Sequence, residues 1–323
     1  MKNYQRVFLL LLTIGLTRIF GTAQTGKATC GGSILDAAVY RNLLVTGTDQ
    51  GTVDVFLSTN LHKKAGIRFE EIKDFYDEPI RPKVFSVDIY GKKKTVILSI
   101  VESEGGQCRL VRSDLSGTSQ KTLIAPERGL QMRKVRFVDK HTALIALISS
   151  ECILYDLTTL KIKYRVQISQ SLFSDFALNQ TRTEAAFVSE SGDIQIVRVR
   201  DGKILKTLSG GNKDNIFNVS YRAGRLLTGG RDKKAVLYNL TDNRFRIFET
   251  PFYVYAVAID NRAEIMAFVT DENSRIDIRR VHTGERITRL PAINEPVNRL
   301  IFTGDHHLLV CDDAGHIYKW RIK

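Results

Sequence analysis

The chain of 323 residues contains a single tryptophan, Trp320, so it cannot build the ring of tryptophans that some enzymes wrap around a quinone cofactor. It has no GxSxG, no HExxH and no GxxxxGK[ST] motif, which removes the common signatures of serine hydrolases, zinc peptidases and phosphate-cradling nucleotidases. Its six histidines fall in separate stretches, with His306-His307 the one doublet, and a solvated turn is the expected reading there. The four cysteines, Cys30, Cys108, Cys152 and Cys311, share no CxxC spacing. Two bridges in three possible pairings would suit an oxidising compartment, but buried free thiols are the simpler expectation. Together these absences point away from an enzyme and from any metal or cofactor.

Long apolar runs are also scarce. The one run, Val7 to Leu16, follows Lys2 and Arg6 and precedes the small residues Gly21, Thr22 and Ala23. Ten apolar residues fall short of the roughly 20 that span a bilayer. The pattern is that of a cleavable secretory signal over residues 1–23, with cleavage after Ala23 and a periplasmic address. Lys27, Ala28 and Thr29 lack the apolar lead-in of a lipid-anchored Cys30. The formal net charge of +13 falls to +10 when Lys2, Arg6 and Arg18 leave with the signal, since no acid leaves with them. A basic balance favours an anionic partner or surface.

What the chain does have is repetition. Leu226 to Tyr238 reads as a buried strand, a charged turn and a second strand ending on an aromatic. Val45–Phe56, Val188–Val197, Val269–Ile278 and Val310–Trp320 repeat the plan, with looser copies at Ile97–Val111 and Leu147–Tyr155. The later copies recur at intervals of about 41 to 43 residues, close to the spacing of four-stranded propeller blades. A further alternating strand precedes each hairpin, beginning at Asp36, Ser86, Lys134, Asp175, Asn218, Ala256 and Arg299. Seven copies predict an all-β, seven-bladed propeller over residues 24–323, made of four-stranded antiparallel blades. Outer strands are expected at Lys161–Val166, Ile204–Leu208, Phe245–Phe248 and Arg286–Leu290. The chain stops just after Trp320, so the segment Thr25–Cys30 is expected to supply the last blade's outer strand and close a monomeric ring. The long first interval is read as an insertion at about 62–83, in which FEEIKDFYDEP is expected to form a short helical turn before Pro79.

The GH and WD dipeptides are missing from their signature places, but YN, YD and KW stand in the closing position and the turns GTDQG, GGRDK and DDAGH keep the hairpin chemistry. The chain therefore resembles the WD-repeat class. FSDFALN at Phe173–Asn179, SESGDIQIV at Ser189–Val197, Asp214–Tyr238, YVYAVAID at Tyr253–Asp260 and VFSVDI at Val84 carry a narrower resemblance. With the signal, they make the chain similar to the NapL family of periplasmic accessory proteins encoded with nitrate reductase in campylobacter-like bacteria. That resemblance implies a non-catalytic helper of nitrate respiration, with nitrate reductase subunits as partners, and it brings no catalytic residues.

Two candidate surfaces follow from the repeat. Residues entering the innermost strands ring one mouth of the channel. Aromatic and arginine side chains dominate interfaces, so Phe85, Arg133, Phe217 and Tyr255, with Lys134 and Arg299 one step further in, are the candidate protein contacts. The same end carries Asp49, Glu102, Glu104, Glu151, Glu190, Asp232, Asp271, Glu272, Asp312 and Asp313 in its turns. The opposite rim collects Arg41, Lys92, Lys93, Lys94, Lys140, Arg182, Arg222, Arg225 and Arg262. The disc is expected to be electrically two-faced. The second functional reading is then an exported propeller that holds an anionic polymer or membrane surface (glycan, lipid headgroups or, less favoured, nucleic acid) on this basic rim.

Overall fold

In a computed structural model that describes residues 22–91, 94–304 and 306–322, the chain forms seven four-stranded antiparallel sheets around a central channel. The innermost strands are Ile34–Tyr40, Val84–Tyr90, Met132–Phe137, Phe173–Leu178, Ile216–Arg222, Val257–Ile259 and Val297–Thr303. Each contains or abuts the alternating segment expected for it. The outer strands Lys161–Gln167, Ile204–Leu208, Phe245–Glu249 and Arg286–Leu290 also fall where the sequence places them. The chain is a seven-bladed β-propeller.

Blade seven takes its outer strand from the other end of the chain. Ala23–Thr29 pairs antiparallel with His316–Arg321, from Ala23 opposite Arg321 to Thr29 opposite His316. The strand begins two residues before the expected Thr25, and Cys30 lies just beyond it with its N–H on the Gly315 carbonyl at 2.8 Å. This pairing covers the one sheet edge that closure would otherwise leave open. The secretory signal expected over residues 1–23 lies outside the described residues, apart from Thr22 and Ala23.

The closing aromatics of the repeat are the wedges between blades. Phe56, Tyr155 and Tyr238 are each 1% exposed, and burial of a side chain of that size contributes about 1.5–3 kcal/mol. The Tyr155 hydroxyl also donates to the Leu123 carbonyl of the preceding blade at 2.8 Å, so the polar end is satisfied where the ring is buried. Gly229, in the pivotal repeat, has no room for a side chain: a Cβ there would stand 2.5 Å from the Val254 carbonyl oxygen of the segment entering blade six.

The insertion differs from its expected form. Lys63–Arg68 pairs with Thr52–Leu57 as the outer strand of blade one, so the first six residues after His62 belong to the repeat. The extra material is residues 69–83. Its centre is a two-stranded hairpin, Ile72–Lys73 with Pro79–Ile80, rather than a helical turn. Pro79 lacks an N–H, which a two-residue edge strand tolerates, and the Asp74 carboxylate accepts the N–H groups of Tyr76 (2.7 Å) and Glu78 (3.0 Å) to shape the tip. Among the described residues no helix is long and apolar enough to cross a membrane.

Candidate functional site: the channel and its two mouths

The positions where the innermost strands were expected to begin form one layer of the channel wall. Six of these strands carry a register shift immediately before Asp36, Ser86, Lys134, Asp175, Asn218 and Arg299. Such bulges re-aim a side chain. Here the layer is a belt of hydrogen bonds that runs from blade to blade. Asp36 accepts the Ser86 hydroxyl at 2.6 Å and the Val87 N–H at 3.1 Å, and the Ser86 hydroxyl accepts the Val135 N–H at 3.1 Å. Lys134 donates to Asp175, which also accepts Asn218 Nδ2 at 2.7 Å, and Asn218 Oδ1 accepts the Val257 N–H at 2.9 Å. Across the closure, Arg299 Nε donates to Asp36 Oδ1 at 3.2 Å.

Arg136 completes the arrangement with a two-pronged contact on Asp36, Nη1 to Oδ2 and Nη2 to Oδ1, both 2.8 Å. Burial opposes a charge on Asp36, yet the Arg136 and Arg299 guanidiniums outweigh it and hold the carboxyl well below the usual carboxylate range. Asp88, one step along the channel, has the opposite balance. Burial pushes its carboxyl up, and Arg136, Arg182 and the Phe137 N–H offset this only in part.

Two of the expected contact residues, Lys134 and Arg299, lie inside the channel, paired with Asp175 and Asp36 across blades. The other four do surround the upper mouth, the end where chain passes from one blade to the next. The Arg133 guanidinium lies 4.7 Å from the Phe85 ring centre. Phe217 stacks on Tyr255 at 5.1 Å, and Phe252 and Tyr253 pack against the same pair. Phe252 and Tyr253 were missed because the repeat alignment places only Tyr255 at the strand entry. The inserted hairpin rises at this end as well, and its tip exposes Phe75 (96%) and Tyr76 (81%).

The ten acids expected to charge this end are less free than their number suggests. Asp49, Asp232 and Asp271 accept backbone N–H groups of Ser33, Lys213 and Asn273, Glu151 is clamped by Arg165, and Asp312 is buried beside His316. They are chiefly turn-forming residues. Glu70 and Glu71 of the insertion, with Glu104 and Glu127, line a separate cavity of about 590 Å³ below the hairpin.

The basic residues of the other rim divide into groups. Arg41, Arg182 and Arg222 converge on the lower mouth, lining a cavity of about 670 Å³ that continues up the channel to Lys134, Arg136 and Arg299. Arg225 donates to Asn239 within its own blade. Lys94, Lys140 and Arg262 are exposed on the outer rim, and Lys92 and Lys93 lie outside the described residues. Among the described residues, the basic rim therefore divides between the channel mouth and the outer edge. No three His, Cys, Asp or Glu side chains gather as metal ligands among the described residues.

No protein-family model matches the chain, and no curated protein matches it. The architecture rests on the strands and their pairing.

Proposed function

We propose that this propeller is a non-catalytic protein-interaction scaffold that docks a partner on its upper face. The observation that carries the reading is the hairpin tip, where Phe75 and Tyr76 meet edge-to-face with ring centres 5.6 Å apart and stand almost wholly in water. Two adjacent aromatics held out on an ordered turn are costly to solvate and are the residue types that anchor interfaces. Glu71 is paired with Arg81 at 3.0 Å and Arg109 lines the same cavity, but Glu70, Glu104 and Glu127 leave an acidic excess below the tip that favours a partner with basic groups around an apolar centre. The Phe85–Arg133 pair and the Phe217 cluster extend the surface towards the channel.

The N-terminal sequence pattern supports the address, and the family resemblance supports the partner. The ring acts in the periplasm after loss of residues 1–23, and cleavage after Ala23 leaves Gln24 to Thr29 for the closing strand. The resemblance to the NapL family makes the partner a subunit of periplasmic nitrate reductase, with the propeller as an accessory of nitrate respiration. Affinity capture of the mature protein from the periplasm of its own host, grown with nitrate, tests this. Recovery of nitrate reductase subunits is expected. Recovery of envelope polymers or nucleic acid alone, released by salt, would contradict it.

A further inference from the structure

The lower half of the channel has charge that the fold does not use. Arg41, Arg182 and Arg222 form no direct ion pair with a carboxylate among the described residues, and Arg182 acts on Asp88 only at longer range. Arg222 donates only to the carbonyls of Tyr221 (2.7 Å) and Leu178 (3.4 Å), and Arg182 Nη1 donates to the Phe137 carbonyl. Burial draws the Arg222 guanidinium's affinity for its proton down, and the neighbouring Arg182 charge draws it down further. Two like charges pressed together at a partly buried mouth, with Asp88 the one acid lining the same cavity, are under-compensated until an anion arrives.

The side chains are also held in position. The Tyr40 and Tyr90 rings meet at a tilt with centres 5.0 Å apart, the Arg41 guanidinium 5.7 Å from the Tyr40 ring and that of Arg182 5.8 Å from the Tyr90 ring. This arc leads to Arg222, so three planar forks face a cavity of about 670 Å³, within the size range of small-ligand sites. Deeper in, Arg136 and Arg299 share the one carboxylate of Asp36, which leaves one more positive charge in excess. Asp88 contributes one negative charge, and Lys134 with Asp175 is neutral. The sum over the six cations and three acids is +3.

We infer that the lower mouth of the channel is a binding site for a small multivalent oxyanion of the phosphate type, gripped by Arg41, Arg182 and Arg222. Guanidinium forks match the oxygen pairs of such a group, and the cavity's net charge matches an anion of two or three charges. The same chemistry is offered by a free polyphosphate and by the headgroup of an anionic lipid. The site lies at the opposite end of the ring from the proposed docking face and stands independently of it.

The test is isothermal titration of the full mature protein with inorganic pyrophosphate at low salt, with Arg41→Gln, Arg182→Gln and Arg222→Gln variants and Lys140→Gln as the outer-rim control. One saturable site is expected, weakened about tenfold or more by each of the three changes and unaltered by Lys140→Gln. Arg41 is exposed, so its variant tests the site even where Arg222→Gln disturbs the fold. Sedimentation with phosphatidylglycerol vesicles separates the two sources. Vesicle binding displaced by pyrophosphate assigns the site to a lipid phosphate, and pyrophosphate binding without vesicle binding assigns it to a soluble anion. No pyrophosphate binding at millimolar concentration, or equal weakening by Lys140→Gln, would overturn the site.

Discussion

Arg299 of blade seven reaches the Asp36 carboxylate of blade one, Nε to Oδ1 at 3.2 Å, and so joins the last repeat to the first beside the channel. Arg136 of blade three holds the same carboxylate. Three blades distant in sequence thus meet on one fully buried acid.

Asp36→Asn should destabilise the ring by about 3 kcal/mol or more, because it leaves two guanidiniums without their counter-charge in the channel. Denaturant unfolding followed by tryptophan fluorescence checks this. The pH dependence has a definite sign. Asp36 has a depressed carboxyl in the folded ring, so its contribution is fully present above about pH 4, the ordinary carboxylate range, and is lost as pH falls towards the folded value. Wild type and Asp36→Asn should therefore converge in stability as the medium becomes strongly acid.

A chain beginning at Gly31 lacks the closing strand but keeps Ile34 and the whole of blade one. Relative to the chain beginning at Gln24 it loses the strand hydrogen bonds of five residue pairs and should be less stable by on the order of 5 kcal/mol, with a new tendency to self-associate through the freed edge. Thermal melting and light scattering report the two effects. A melt equal to that of the chain beginning at Gln24 would contradict closure by this strand.

The four thiols are free, and burial pushes each of them up, Cys30 and Cys152 to about 12. Because the thiolate is the reactive form, iodoacetamide at pH 8 should leave the native protein essentially unlabelled over a period in which guanidinium-unfolded protein takes up four labels. Intact-mass spectrometry counts them. Cys30, the least buried, is the position at which rapid native labelling would contradict the packing.

The fold was legible because each blade repeats a local pattern of alternation and a polar turn, and four of the seven copies close on an aromatic, Phe56, Tyr155, Tyr238 and Trp320. The channel belt was half legible. Asp36, Lys134, Asp175 and Arg299 were visible as strand starts, but their partners lie on other blades, and nothing local to Lys134 reveals that Asp175, 41 residues later, neutralises it. The insertion was misplaced at its first edge because Lys63–Arg68 is charged and exposed on one side, like the outer strands of the other blades, and has no apolar run to mark it. The three arginines of the lower mouth were visible as members of the nine-residue basic rim, though not as a separate trio, because only the ring geometry brings Arg41, Arg182 and Arg222 to one cavity.

The central claim is that the upper face docks a protein through the hairpin tip. The direct measurement is capture from nitrate-grown periplasm with wild type and the double variant Phe75→Ala/Tyr76→Ala side by side, quantified by mass spectrometry. Both side chains are exposed, so the variant should melt as wild type does. Nitrate reductase subunits should be retained by wild type and reduced roughly tenfold or more by the variant, the scale of losing an interface anchor. Equal recovery of those subunits on both proteins would contradict docking through the tip, and their absence from both would contradict the partner.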